Sequence, residues 1–339
     1  MDLNLIWFLL LGVLFAGYSV LDGFDFGVGI LSLFRTRNPE ERRLLMNAIG
    51  PVWDGNEVWL LAAGGALFAA FPPVYATVFS GFYLAMMLLL FALIFRAVSF
   101  EFRSKLEDPR WRRLWDLAFG VGSLLPPLLF GVALGNVLRG IPLDAAGHFR
   151  GTFLSLLNPY ALLVGLGAVA LFTMHGAAYL VLKTDGALRD RMRTCVSRGW
   201  IAFVVLYGAA TILTFFMARH LMEGTVARPW FWAAFLPLIA SMGAIPLAAG
   251  QGRDLHAFLA SSVTIVSLWG LLGVSVFPTM VRSSSDVGHS LTIYNAVSTP
   301  RSLTAMLVIA LLGMPLVLGY TLWIYRVFKG RVIIGPDSY

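Results

Sequence analysis

The sequence is poor in charge, cysteine and histidine. Only 13% of its 339 residues are Asp, Glu, Lys or Arg, and 58% are apolar. A soluble domain carries about 25% charged residues to cover its surface, so this composition excludes a water-soluble fold. The single cysteine, Cys195, excludes an intrachain disulfide and any multi-cysteine metal or iron–sulfur site. The sequence has no glycine-rich loop followed by Lys-Ser or Lys-Thr, no C-x-x-C-H and no H-E-x-x-H. It therefore lacks the signatures of ATP-driven transport and covalent c-type haem. Low-complexity segments and evident repeats are also missing. The first apolar run is preceded by no basic segment and followed by no small-residue cleavage site, so it reads as a retained span.

What is present is a succession of hydrophobic runs of about 20 residues, the length that crosses a ~30 Å hydrocarbon core as a helix. The pattern predicts an all-α polytopic membrane protein. Nine transmembrane helices are expected, roughly over 5–34, 44–69, 75–103, 115–138, 158–182, 196–220, 230–251, 255–281 and 303–327. Phe71-Pro72-Pro73 closes the second. Pro237, Pro246 and Pro315 are expected to kink the helices that contain them. The turn-rich stretch Gly140 to Pro159 divides the chain into a first unit, 1–150, and a second, 151–339. With the N-terminus outside, 19 of the 25 basic residues fall on inner segments and 6 on outer ones. This split predicts a cytoplasmic C-terminus. The net charge of +7 is thereby explained without nucleic acid. The basic, aromatic run Phe100 to Arg113 reads as an inner loop facing anionic headgroups.

Two of these spans carry acids. LDGFDFGVG (Leu21 to Gly29) holds Asp22 and Asp25, and GPVWDGNEVWL (Gly50 to Leu60) holds Asp54 and Glu57. Ionisable groups inside a membrane are costly and mark function by default. At 1.5 Å per residue, Asp22 lies roughly 18 Å and Asp54 roughly 15 Å from the inner surface. The two helices are antiparallel neighbours, so these acids are expected to face each other as a proton relay. Gly23 and Gly27 form a G-x-x-x-G patch that admits a second helix beside the acids. Arg96, roughly 10 Å deep, matches Asp25 at roughly 14 Å. Asp25 and Arg96 are therefore a candidate structural ion pair, and a functional Asp25 stays open. No basic residue reaches the depth of Asp22 or Asp54 by this reckoning. Glu57, one turn from Asp54, is grouped with Asp22 and Asp54 as a proton-path candidate without an individual role, with a facing subunit as another option.

Of the five histidines, only His175 lies mid-span. A hydrogen bond to a neighbouring helix accounts for it more simply than haem ligation, which needs a second ligand and a pocket. Trp53 and Trp59 flank the acidic turn and read as packing, and Trp7, Trp230, Trp232 and Trp323 as an interfacial belt. The scattered methionines read as packing.

These motifs resemble subunit II of the cytochrome bd-type quinol oxidases. The likeness runs nearly end to end through LDGFDFGVG, GPVWDGNEVWL, AAGGALFAAFPPVYA, FEFRSK, GSLLPPLLFGVALGN and FPTMVRSSS. The resemblance implies two four-helix bundles plus one peripheral helix, in a bacterial cytoplasmic (inner) membrane. It implies a partner subunit I that holds two b-type haems, haem d and the quinol-oxidising loop, so that no cofactor is bound directly by this chain. The complex oxidises quinol and reduces O2 to water, building membrane potential without pumping. In the family, acids at the positions of Asp22 and Asp54 lie on a proton route, and the position of Trp59 lies near an oxygen route. Some members carry a quinone in subunit II, and a small accessory membrane subunit is possible. Some members have Gln in place of Glu57 and of His175, which weighs against haem at His175. WDGNE with FEFR looks closer to the cyanide-insensitive branch. Two rival readings remain: a stand-alone proton-coupled transporter using the same acids, and a purely structural partner whose acids are only paired.

Overall fold

The structure, a computed structural model, describes residues 2–333 and 335. Eleven helices follow in order: α1 (Leu3–Arg35), α2 (Pro39–Ile49), α3 (Trp53–Ala70), α4 (Pro72–Gly81), α5 (Tyr83–Phe102), α6 (Pro109–Arg139), α7 (Pro159–Lys183), α8 (Gly186–Met217), α9 (Pro229–Gly250), α10 (Asp254–Val276) and α11 (Pro300–Val327). Six begin with proline in the first turn, where a missing N–H costs nothing. In α2, α6, α7 and α11 a side chain just before that proline caps a free N–H: Asn38, Asp108, Asn158 and Thr299.

Among the described residues, eight helices are long and apolar enough to cross a membrane, α1 and α5 to α11. The pair α3–α4, bent by 119° at Phe71, makes a ninth span when taken together. Two expected spans are redrawn. The second is broken at Gly50–Val52, so residues 44–49 belong to the separate helix α2. The third loses its outer third to α4, and only α5 crosses. Proline explains the outer break: Pro72 and Pro73 have no N–H to bond back into α3, and Phe71 leaves helical geometry at φ −131° and ψ 65°. Pro237, Pro246 and Pro315, by contrast, stay inside continuous helices.

Helix α1 is the hub and packs against α3, α6, α7 and α10. Around it α5 lies on α6, α6 and α8 on α7, and α9 on α10. Glycines set the closest crossings. A Cβ on Gly27 would overlap the Phe172 carbonyl and stand 2.8 Å from the Gly176 Cα, and a Cβ on Gly131 would stand 2.5 Å from the Gly165 Cα. Without side chains at these points the backbones of α1 and α6 rest directly on α7. The close approach at Gly23 and Gly27 is thus made by α7, on a different face of α1 from its acids.

The core falls into two clusters, one that mixes both halves of the chain (Phe24 and Val28 with Leu171, Met174 and Leu180) and one toward the opposite end around Phe71, Phe82, Ile141 and Ile293. The loops beside this second cluster are tied together. Thr77 donates to the Gly147 carbonyl at 2.8 Å. Ile141 bridges Ser283 beside a short antiparallel pair of strands, β1 (Thr279–Val281) and β2 (Leu291–Thr292). Trp7 is buried with its indole N–H on the Leu303 carbonyl at 3.0 Å. It fixes α1 to α11 and does not belong to the interfacial belt, whereas Trp230 and Trp323 are exposed.

At the other end, ion pairs do the tying. Asp116 of α6 accepts from Arg42 at 2.7 Å and from Arg103 at 2.6 Å. Asp254 of α10 accepts from Arg189 and Arg193 of α8, and Arg191 pairs with Glu41. Arg103, expected to face headgroups with the rest of its loop, is instead buried in the protein. Helix α11 stands apart, with Ile309, Leu312 and Leu316 about 70% exposed.

Candidate functional site

The acids of α1 meet an arginine from α5. Arg96 is fully buried and holds Asp22 with both ends of its guanidinium, Nη1 to Oδ2 at 3.0 Å and Nη2 to Oδ1 at 2.5 Å. Asp25 lies one helical turn further along, 3.9 Å from the same Nη2. The expected Asp25–Arg96 pair is present at the long end of ion-pair range, but Asp22, expected to lie beyond the reach of any basic residue, is the tight partner of Arg96. Depth counted along the backbone misled because an arginine side chain reaches well beyond its own Cα. The guanidinium also lies over the Phe26 ring, 4.4 Å from its centroid, and Gly122 lets α6 press against α5 behind it. Burying both charges costs several kcal/mol each, which only such bidentate geometry offsets.

Asp25 has a different environment. Its Oδ2 accepts from the Asn56 amide at 2.8 Å, and its Oδ1 is buried with no hydrogen-bond partner. Asn56 also donates to the Leu21 carbonyl at 3.3 Å, and its Oδ1 accepts from the Tyr325 hydroxyl at 2.9 Å. Sequence reasoning missed Asn56 and Tyr325. The spacing of α3 contained part of the signal, since Asn56, Trp59, Ala63 and Leu67 recur at helical intervals and are its buried stripe.

That stripe decides the fate of Asp54. On an α-helix, two residues apart means opposite faces. With Asn56 turned toward α1, Asp54 points away and is exposed, in line with Val58, Leu61, Gly65 and Phe68. Asp22 and Asp54 reach a similar level, as Asn56 touching Leu21 shows, but they do not face each other. Glu57 sits between the two faces and is half-buried. Trp59 packs its ring into the space left by Gly17, with its indole N–H unpartnered. The chain brings together Asp22, Asp25, Arg96 and Asn56, and leaves Asp54 at the rim.

His175 is buried on α7. Its Nδ1 is 2.7 Å from the Ser261 hydroxyl, its Nε2 is 3.0 Å from the Val20 carbonyl, and its ring stacks on Phe258. Both ring nitrogens have protein partners, so a haem iron would have to displace one of them. The donor set of this chain does not fit haem ligation there. No group of three or more His, Cys, Asp or Glu side chains has metal-site geometry among the described residues.

The fold and site define a multi-pass helical membrane protein organised around a buried arginine–carboxylate cluster. The chain belongs to the cytochrome bd terminal oxidase subunit II family, whose pattern matches residues 3–328. It is 39% identical to cytochrome bd-I ubiquinol oxidase subunit 2 of Escherichia coli K12, over 97% of this chain and 95% of that one. It is 37% identical to cytochrome bd ubiquinol oxidase subunit 2 of Bacillus subtilis 168, over 98% and 97%. Among solved structures it resembles the bd oxidase from Geobacillus thermodenitrificans, with a TM-score of 0.82 at 19% identity, covering 97% of this chain and 99% of that one. At that identity the likeness speaks for the fold.

Proposed function

We propose that this chain is the second subunit of a terminal quinol oxidase in the bacterial cytoplasmic membrane, working with a haem-bearing subunit I. Its own part is to scaffold that subunit and to carry protons from the cytoplasm toward it. Family membership supports the oxidase, and one geometric observation supports the division of labour. Asp54 stands on a bare face of α3 with no hydrogen-bond or ion-pair partner among the described residues, at the level of the Asp22–Arg96 pair. A carboxylate cannot be left there against lipid without heavy cost. A second protein chain covers it.

The proposed architecture is two bundles, α1, α3, α5 and α6 within 1–150 and α7 to α10 within 151–339, with α11 peripheral. The family resemblance supports this grouping, and the distribution of basic residues supports an outer N-terminus and an inner C-terminus. Two b-type haems and a haem d in the partner supply the redox chemistry. Reducing O2 to water consumes one proton per electron, and drawing those protons from the cytoplasm separates charge without a pump.

Within this chain Asp22 serves as the counter-charge of Arg96, with both of its oxygens held by the guanidinium. Asp25 has a free oxygen and takes the proton. Glu57 lies between the buried and bare faces of α3 and hands the proton toward Asp54 at the rim. The relay expected of Asp22 and Asp54 becomes one of Asp25, Glu57 and Asp54 around an Asp22–Arg96 anchor. Trp59 borders the same α1–α3 seam and is the candidate for an oxygen route. A structural quinone and an accessory subunit rest on the family resemblance.

Purification through a tag on this chain tests the reading. A second membrane chain carrying b- and d-type haem bands, with quinol-driven oxygen uptake, is the expected result. Proton flux from the chain alone, with no haem partner, would establish the rival transporter.

A further inference from the structure

Helix α11 touches the rest of the molecule sparingly, yet its inner end is pinned. Lys183 donates to the Phe328 carbonyl at 2.6 Å, and the Val332 N–H donates to the Lys183 carbonyl at 3.0 Å. Between those ties and the acid cluster stands Tyr325. Its ring meets Phe24 of α1 edge-on, 6.4 Å between centroids, and its hydroxyl donates to the Asn56 Oδ1.

A carboxamide has one end that accepts and one that donates. The Leu21 carbonyl and the Asp25 carboxylate only accept, so they draw the donating end toward α1, and the Tyr325 O–H holds the accepting end from the other side. Turned over, Asn56 would set its oxygen against the Asp25 carboxylate and lose both hydrogen bonds to α1. Asn56 cannot itself pass a proton as an amide, so its contribution is orientation.

We propose that Tyr325 is a positioning residue for Asp25: through Asn56 it keeps Asp25 Oδ2 hydrogen-bonded and leaves Oδ1 as the proton-accepting oxygen. The peripheral helix thereby controls the entry of the proton path, and its docking sets how fast protons pass. This rests on Asp25 being the proton carrier. The charged and titratable groups around Asp25 are Asp22 on its own helix, Arg96 of α5, Glu57 of α3, Tyr179 of α7 and Tyr325 of α11.

The test uses the whole oxidase complex with Tyr325→Phe, Asn56→Leu, the double variant and Asp25→Asn. Tyr325→Phe keeps the ring on Phe24 and removes only the O–H. Its haem bands and yield should match the wild type. Oxygen uptake should fall several-fold, its pH profile should move, and the infrared band of the protonated Asp25 carboxyl should shift. Asn56→Leu should do the same, and the double variant should be no slower than the slower single. Wild-type uptake, pH profile and carboxyl band in Tyr325→Phe would overturn the proposal, as would independent, multiplying losses in the double variant. Asp25→Asn separates the two levels. If it stops turnover while Tyr325→Phe is unaffected, only the positioning role falls. If Asp25→Asn turns over normally, the relay falls, and Tyr325 with it.

Discussion

Asp22 and Asp25 are three residues apart on one helix and have different work to do. The difference lies in their oxygens: both of Asp22's are held by Arg96, and one of Asp25's is free. Substitutions should therefore separate. Asp22→Asn leaves Arg96 buried with its charge largely unanswered, a loss of ~3–5 kcal/mol, so the amount of assembled complex should drop sharply. Pairing it with Arg96→Gln removes the stranded charge and should restore part of the yield, read as haem absorbance per cell. If Asp22→Asn assembles at wild-type level, the structural assignment of that pair is wrong.

Among the elements, the loop between α6 and α7, beyond the membrane-length helices, offers a pH-dependent test. The Asp144 carboxylate accepts from the backbone N–H of His148 at 2.8 Å, and it also accepts from Ala146 and from the Arg150 side chain. The His148 N–H, followed by Arg150, holds its pKa down at about 2. A carboxyl whose folded pKa is depressed stabilises the fold above its unfolded value, near pH 4, and that support is lost as pH falls through about 2. Protection of the Ala146 and His148 amides, taken relative to their intrinsic exchange rates at each pH, should be high at pH 5 and fall as pH drops through about 2. In Asp144→Asn it should be low throughout. A wild-type loop equally protected at pH 2 would contradict this account.

For the whole molecule the question is which surface is covered. Among the described residues, α5, α8, α9 and α10 expose apolar side chains, and so do the stripe of α3 bearing Asp54 and nearly all of α11; the last two make the sharpest contrast. The carboxylate distinguishes them: lipid suits α11, and a protein chain suits α3. In the assembled oxidase, Val58→Cys on α3 should resist a membrane-permeant maleimide, and Leu316→Cys on α11 should react. The native Cys195 is buried and adds little background. Equal labelling at both positions would remove the interface from α3.

The sequence by itself determined the class of fold and the family, and most of the membrane-length helices, because bilayer thickness turns apolar run length into helices and the acidic motifs stand out against an apolar background. It also indicated that His175 belongs to a helix contact, since a lone ligand makes no haem site. Only the tertiary structure decided which acid Arg96 holds, because a long side chain frees partner choice from backbone depth. The break at Gly50–Val52 is likewise tertiary in its consequences. It sets the rotation of α3, turning Asn56 toward Asp25 and Asp54 outward, and no hydropathy pattern records rotation at a helix that is apolar nearly all round. Tyr325 lies 269 positions from Asn56 in the chain, and packing alone brings them together.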